Sequence, residues 1–126
     1  MSAVEQLGAE KYVLLTTFRK DGRGVPTPVW VAREGGELLA WSASDAGKVK
    51  RIRRSGEVTV AACDFRGRPR GSSVAGHATI DDPDATKRVR RLLMRKYGLL
   101  GRLTILGSRL RRGERGTVGI RIRLAG

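Results

Sequence analysis

The sequence predicts a mainly β domain with helices, its strands antiparallel and closed into a barrel. Three observations predict it. Six short runs rich in β-branched and apolar residues are spread over 126 residues. The early ones are joined by links of hairpin length, which imply antiparallel pairing. Many short strands in a small chain favour a barrel over an open sheet. The length fits one core, so residues 1–126 are expected to form a single domain.

The elements follow in order. Ala3 to Glu10 reads as a short helix with Ser2 as its cap and Val4 and Leu7 toward the core. Tyr12 to Phe18 is the first strand. Lys20-Asp21-Gly22 is a turn, with Gly22 suited to positive φ. Val25 to Arg33 is the second strand; Pro26 and Pro28 cannot donate ladder bonds, so its start belongs on an edge or at a bulge. Glu37 to Ser42 is the third, followed by a small polar bend, Ala43 to Gly47, and a basic helix, Lys48 to Arg54. Ser55-Gly56 ends that helix, with a left-handed cap expected at Gly56. Glu57 to Phe65 and Ser72 to Ile80 are strands four and five. Asp82 as N-cap and Pro83 at the first helical position start a longer helix. It carries Ala85, Val89, Leu92, Leu93 and Lys96 on one face and stops at Gly98. Leu103, Leu106 and Leu110 suggest a second, shorter helix, and Arg111 to Gly116 a loop. Thr117 to Leu124 is the last strand, with Val118, Ile120, Ile122 and Leu124 inward and Gly119, Arg121 and Arg123 outward.

Charge narrows the function. The chain carries 26 Lys+Arg against 12 Asp+Glu, a formal net charge of +14. Residues 47–71 hold 8 basic and 2 acidic residues, and residues 87–126 hold 13 and 1, so two regions dominate the field. An anionic partner is implied, either nucleic acid or a phosphate-bearing small molecule. One cysteine, Cys63, and one histidine, His77, exclude an internal disulfide and a metal cage built on those residue types. Cys63 reads as packing within a strand, His77 as a structural residue, and the Asp81, Asp82, Asp84 cluster as helix capping. No dinucleotide or phosphate-loop glycine pattern is present. No secretory leader or apolar run of membrane-spanning length is visible, so a cytoplasmic location without a membrane partner is expected.

The stretch from Leu38 to Arg54 concentrates the binding chemistry. A strand ending in hydroxyl residues, Ser42 and Ser44, feeds the start of a basic helix, which gathers backbone N–H groups, hydroxyls and cations at one spot. Lys48 shares a helical face with Arg51, and Lys50 with Arg54. A phosphate cradle beside so few acid–base residues suits a protein whose bound cofactor carries the reaction.

The run TPVWVAREGGELLAWSASDAGKVKRIRR, together with YVLLTTFRKDG, VTVAACDFRGRPRG and RKYGLLGRLTILGSRLRRG, resembles the split β-barrel oxidoreductases related to pyridoxamine 5′-phosphate oxidase. Within them it is most similar to the coenzyme F420-dependent group. The resemblance implies an FMN-binding-protein-like split barrel that forms a homodimer with cofactor between the subunits. Pro28, Val29 and Trp30 would lie along the ring system; Trp41, Ser42, Ala43 and Ser44 would line the ribityl chain and phosphate. Lys48 matches the family's phosphate lysine, with Lys50, Arg51 and Arg54 as auxiliary cations. The partner's segment from Asp64 and Phe65 to Arg68 would close the site. Pyridoxamine phosphate oxidases have an arginine just before that lysine, where this chain has Gly47, and a longer C-terminal segment. Both departures speak against vitamin B6 oxidation and leave FMN as the alternative cofactor. The implied reaction is hydride transfer between reduced F420, an anionic phosphodiester, and a small organic substrate.

Three rivals stand beside it. One is a flavin-binding or storage protein of the same fold. Another is a basic nucleic-acid-binding module, weakened because Tyr97 is the only aromatic residue in the basic tract 87–126. The third is binding of haem or another planar ligand, for which His77 is the one ligand candidate.

Overall fold

A computed structural model describes residues 2–113 and 115–125. Glu114, within the expected C-terminal loop, lies outside the described residues. The elements are α1 (Ala3–Gly8), β1 (Tyr12–Phe18), β2 (Gly24–Val29), β3 (Ala32–Glu34), β4 (Glu37–Ala43), α2 (Gly47–Arg54), β5 (Glu57–Cys63), β6 (Val74–Ile80), α3 (Pro83–Arg112) and β7 (Thr117–Leu124). All strand pairs are antiparallel, in the order β2-β1-β5-β6-β7-β4-β3. The two edge strands of this order, β2 and β3, follow one another in the chain. The sheet therefore curls until its edges meet, without hydrogen bonds across the seam: a split barrel.

The seam is also where the expected second strand divides, giving seven strands rather than six. Val31 makes its polar contacts with α3 instead of a neighbouring strand. Its N–H donates to the Tyr97 hydroxyl at 3.0 Å, and its carbonyl accepts from Lys96 Nζ at 2.6 Å. Those groups are satisfied by side chains, so the ladder ends there without an unmet buried group. The ammonium of Lys96 also reaches the carbonyls of Gly8 and Glu10. One turn of α3 thus ties down α1 and the barrel seam together.

Two apolar clusters fill the fold. The barrel interior holds Val13, Leu15, Val31, Leu38, Val58, Val60, Ile120 and Ile122 among others. Alternate residues of β1 bury completely (Val13, Leu15), as period-two patterning requires. The second cluster lies outside the barrel, where α3 covers β4 and β3: Ala32, Leu39, Val89, Leu93 and Ile105, with Trp30, Trp41 and Tyr97 partly buried against it. This layer revises the reading of β7. Gly119, expected to face outward, is buried under α3; a Cβ there would stand 2.9 Å from Val89 Cγ2. Both faces of the barrel wall are covered at that point.

Gly56 is a second revision. It does not adopt positive φ, and Ser55 is the cap, in extended backbone. Glycine is needed for closeness instead: a Cβ would lie 2.4 Å from His77 Cε1 and 2.7 Å from the Ala78 carbonyl oxygen. Strands four and five are also shorter than expected. Asp64 opens a turn in which its Oδ1 accepts from the N–H groups of Arg66 and Arg68.

The helical tract α3 breaks at Gly98, where φ is 64° and ψ is −140°, a conformation closed to other L-residues. Its second segment hides Gly101, Ile105 and Ser108, while Leu103, Leu106 and Leu110, the residues that signalled it, are exposed. At the start of α3 the Asp82 carboxylate accepts from Ala85 N–H at 2.8 Å. Replacing Asp82 by alanine is expected to cost about 1 kcal/mol of stability, measured by urea denaturation.

Candidate functional site

A cleft of about 250 Å³ opens where the barrel seam, the end of β4, the start of α2 and the second segment of α3 converge. β2 and the seam supply Thr27, Pro28, Val29 and Trp30; β4 supplies Trp41, α2 Lys48 and α3 Thr104. Each has a reason to be there. Pro28 sits on an edge strand, where a missing N–H costs no ladder bond. Trp30 is held flat by Tyr97, ring centroids 4.3 Å apart and planes 8° from parallel. Tyr97 is fixed in turn by the Val31 contact and by donating to the Lys11 carbonyl at 2.6 Å. Val49 and Ile52 bury one face of α2 and so aim Lys48 at the cleft.

The electrostatics are one-sided. No Asp, Glu, His or Cys lines the cleft. Lys48 is half-buried and has no hydrogen-bond or ion-pair partner among the described residues. Burial pushes its ammonium below the ordinary lysine value, and the nearby Arg51 guanidinium adds to that. Arg51 folds back over Gly47, where a Cβ would meet its Nη1 at 2.8 Å, and its Nε donates to Thr17 Oγ1 at 2.7 Å. The first turn of α2 carries no acidic residue, and Ala46 caps it without a side-chain bond. Positive charge and the positive end of the helix dipole therefore meet with no acid in the cleft lining or the first turn, while Asp45, just before the cap, is exposed and pairs with Arg112. The indole N–H of Trp41 is buried with no acceptor among the described residues.

Five of the residues anticipated from sequence meet at this cleft: Pro28, Val29, Trp30, Trp41 and Lys48. Gly47 and Arg51 adjoin it through the start of α2. The others are placed elsewhere. Ser42 is buried and its hydroxyl donates to the Ala43 carbonyl. Ala43 pairs with Thr117 in the sheet. Ser44 donates to the Arg115 carbonyl at 2.7 Å and lines a different depression, with Asp81, Asp82 and Thr86. Lys50 is exposed, and Arg54 donates to the Phe18 carbonyl. Asp64 organises its turn, and Phe65 is 64% exposed beside Arg66. That turn borders β2 of its own chain, since a Cβ on Gly67 would meet Pro28 at 3.5 Å. Tyr97 was not anticipated. Tyr97, just before the helix-breaking Gly98, carried the one available signal. Elsewhere, Cys63 is buried and its thiol pushed up by that burial, while His77 is exposed on β6. No group of metal-binding side chains occurs among the described residues.

The cleft thus offers an aromatic and apolar slot ending in an unneutralised cation. Residues 2–123 match the family model for pyridoxamine 5′-phosphate oxidase. The chain belongs to this family. No curated protein matches it in sequence. Among solved structures, a conserved hypothetical protein from Mycobacterium tuberculosis is 24% identical with a TM-score of 0.73, covering 100% of this chain and 82% of that one. An F420 reductase is 19% identical (TM-score 0.61; 100% and 96% covered). A FAD-binding protein from Mesorhizobium loti is also 19% identical (TM-score 0.62; 100% and 91% covered). These likenesses are of fold. The pyridoxamine 5′-phosphate oxidase-like split barrel is what they share with this chain.

Proposed function

We propose that this protein is an oxidoreductase that binds coenzyme F420 at the Trp30–Trp41–Lys48 cleft and transfers a hydride between reduced F420 and a small organic substrate. FMN is the alternative cofactor. The observation that carries the reading is Lys48: an ammonium half-buried without a counter-ion, at the end of a slot walled by two tryptophans. Uncompensated buried charge is costly, and it is retained where a ligand supplies the compensation. A deazaflavin phosphodiester fits this donor set, with a polar head for Lys48, Arg51 and the first turn of α2, and an aromatic system for the tryptophan-lined slot. The unmet Trp41 N–H adds a donor beside it.

The cofactor supplies the hydride chemistry; the chain binds, orients and dries the site. Trp30, locked against Tyr97, gives a rigid wall whose orientation costs nothing when ligand arrives. Pro28 and Val29 present edge backbone. No Asp, Glu, His or Cys lines the cleft, and the proton that completes a reduction is left to solvent or a nearby hydroxyl. A homodimer, in which the partner's 64–68 turn closes the open side, belongs to this reading.

Titration of the purified protein with F420 and FMN, followed by fluorescence, tests it. F420 is expected to bind at least tenfold more tightly, and binding of neither would end the proposal. The pH dependence has a definite sign. Affinity that depends on charged Lys48 is constant below the free protein's lysine pKa and falls as pH rises above it. Because burial lowers that pKa, the fall begins at a lower pH than an exposed lysine would give. Duplex DNA competing with F420 at physiological salt would favour the nucleic-acid reading instead.

A further inference from the structure

The second segment of α3 carries more exposed apolar surface than any other part of the described chain. Leu99, Leu103, Leu106 and Leu110 recur at spacings of four, three and four, the repeat of one helix face, and are 74, 63, 46 and 89% exposed. Leu100, 60% exposed, widens the stripe. A contiguous patch of this kind marks a docking surface. Its border is cationic. Arg91, Arg95 and Arg102, with Met94, Leu99 and Leu106, line a groove of about 670 Å³ at the Gly98 break. None of the three guanidiniums has a hydrogen-bond or ion-pair partner among the described residues. Between residues 85 and 113 the sequence holds no Asp or Glu.

We propose that this segment docks in the plane of an acidic lipid surface, leucines seated among the acyl chains and Arg91, Arg95 and Arg102 on the headgroup phosphates. A leucine face bordered by arginines is the chemistry that binds such an interface. A second copy of the chain fits less well. A twofold contact through the stripe sets it against itself, so the same arginines would oppose one another with no carboxylate between them. Nucleic acid would use the arginines and leave the leucines in water. No described helix is long and apolar enough to cross a membrane, so the contact is peripheral. It requires no cofactor and stands apart from the hydride-transfer reading. Thr104, which borders the cleft, belongs to the same segment, so the lipid surface would lie beside the cleft mouth.

Co-sedimentation of the full chain with vesicles tests this, using phosphatidylcholine alone and phosphatidylcholine mixed with phosphatidylglycerol. Two double variants separate the contributions. L103Q with L110Q keeps every charge and helix-forming tendency; R95Q with R102Q keeps every leucine. The wild type is expected to pellet with the acidic vesicles only, and each double variant to bind them about tenfold or more weakly. All four positions are exposed, so unchanged melting temperatures are expected to accompany the loss. Failure to bind acidic vesicles overturns the proposal. So does binding that ignores the leucine pair, which would be the bare attraction of a basic protein. Conversion of an oligomer to a monomer by the leucine pair would overturn it too, assigning the stripe to a second copy.

Discussion

Replacing Lys48 by alanine is expected to weaken F420 binding by about 1.5–3 kcal/mol, the range for a hydrogen bond to a charged group. That is roughly a 10- to 150-fold rise in Kd, read by fluorescence titration. The prediction is sharper when stability is measured alongside. The folded-state pKa of Lys48 is lowered by burial. The folded protein therefore holds this proton less tightly than the unfolded chain, and stability rises with pH between the two values. Near neutrality the charged ammonium works against folding. Lys48→Met, which keeps the apolar stem and removes the charge, is expected to raise the melting temperature of the cofactor-free protein by about a few degrees while losing affinity. A lysine kept for structure gives the opposite pair of results: unchanged affinity and a lower melting temperature.

The place of that lysine on the basic helix was legible in the sequence because helix periodicity and charge are local properties. Lys48 and Arg51 lie three apart, and the structure keeps both beside the first turn of α2. Pro26 and Pro28 likewise announced an edge strand, and Asp82-Pro83 a helix start, because each residue acts on its own backbone. What the sequence left unplaced was non-local. Ser42 and Ser44 carry the hydroxyls expected of a phosphate cradle, but β4 runs on through Ala43 and pairs with β7. That pairing leaves the Ser44 hydroxyl on the Arg115 carbonyl, across 71 residues of chain. The division of the second strand was hidden for the same reason. Trp30 and Val31 are good strand formers; only Lys96 and Tyr97, arriving from α3, take the backbone groups a ladder would have used. The second apolar layer followed the same rule. Val118, Ile120 and Ile122 alternate as for one buried face, and nothing within the strand says that α3 will cover the other at Gly119.

The two-layer core makes a second large effect separable from the first. Leu93 is fully buried in the outer cluster, packed with Val89, Leu39 and Ile105 beneath Trp30, Trp41 and Tyr97. Leu38 is fully buried in the barrel interior, one residue from Leu39 but on the opposite face of β4. Truncating either to alanine leaves a cavity and is expected to cost about 2–5 kcal/mol, measured by urea denaturation. Their effects on cofactor should differ. The Leu93→Ala cavity lies under both tryptophans of the cleft and loosens the Trp30–Tyr97 stack. Cofactor affinity is expected to fall by roughly 0.5–2 kcal/mol, the scale of coupling between contacting residues. The Leu38→Ala cavity opens inside the barrel, so affinity in the folded fraction is expected to hold. Equal losses from both variants would mean that the cleft depends on global stability alone. No loss from either would separate the outer layer from binding and leave Lys48 as the whole of the site's dependence on α2 and α3. The asymmetry is the physical content of the arrangement. The barrel supplies rigidity, and the α3 layer sets where the aromatic walls stand relative to the cation.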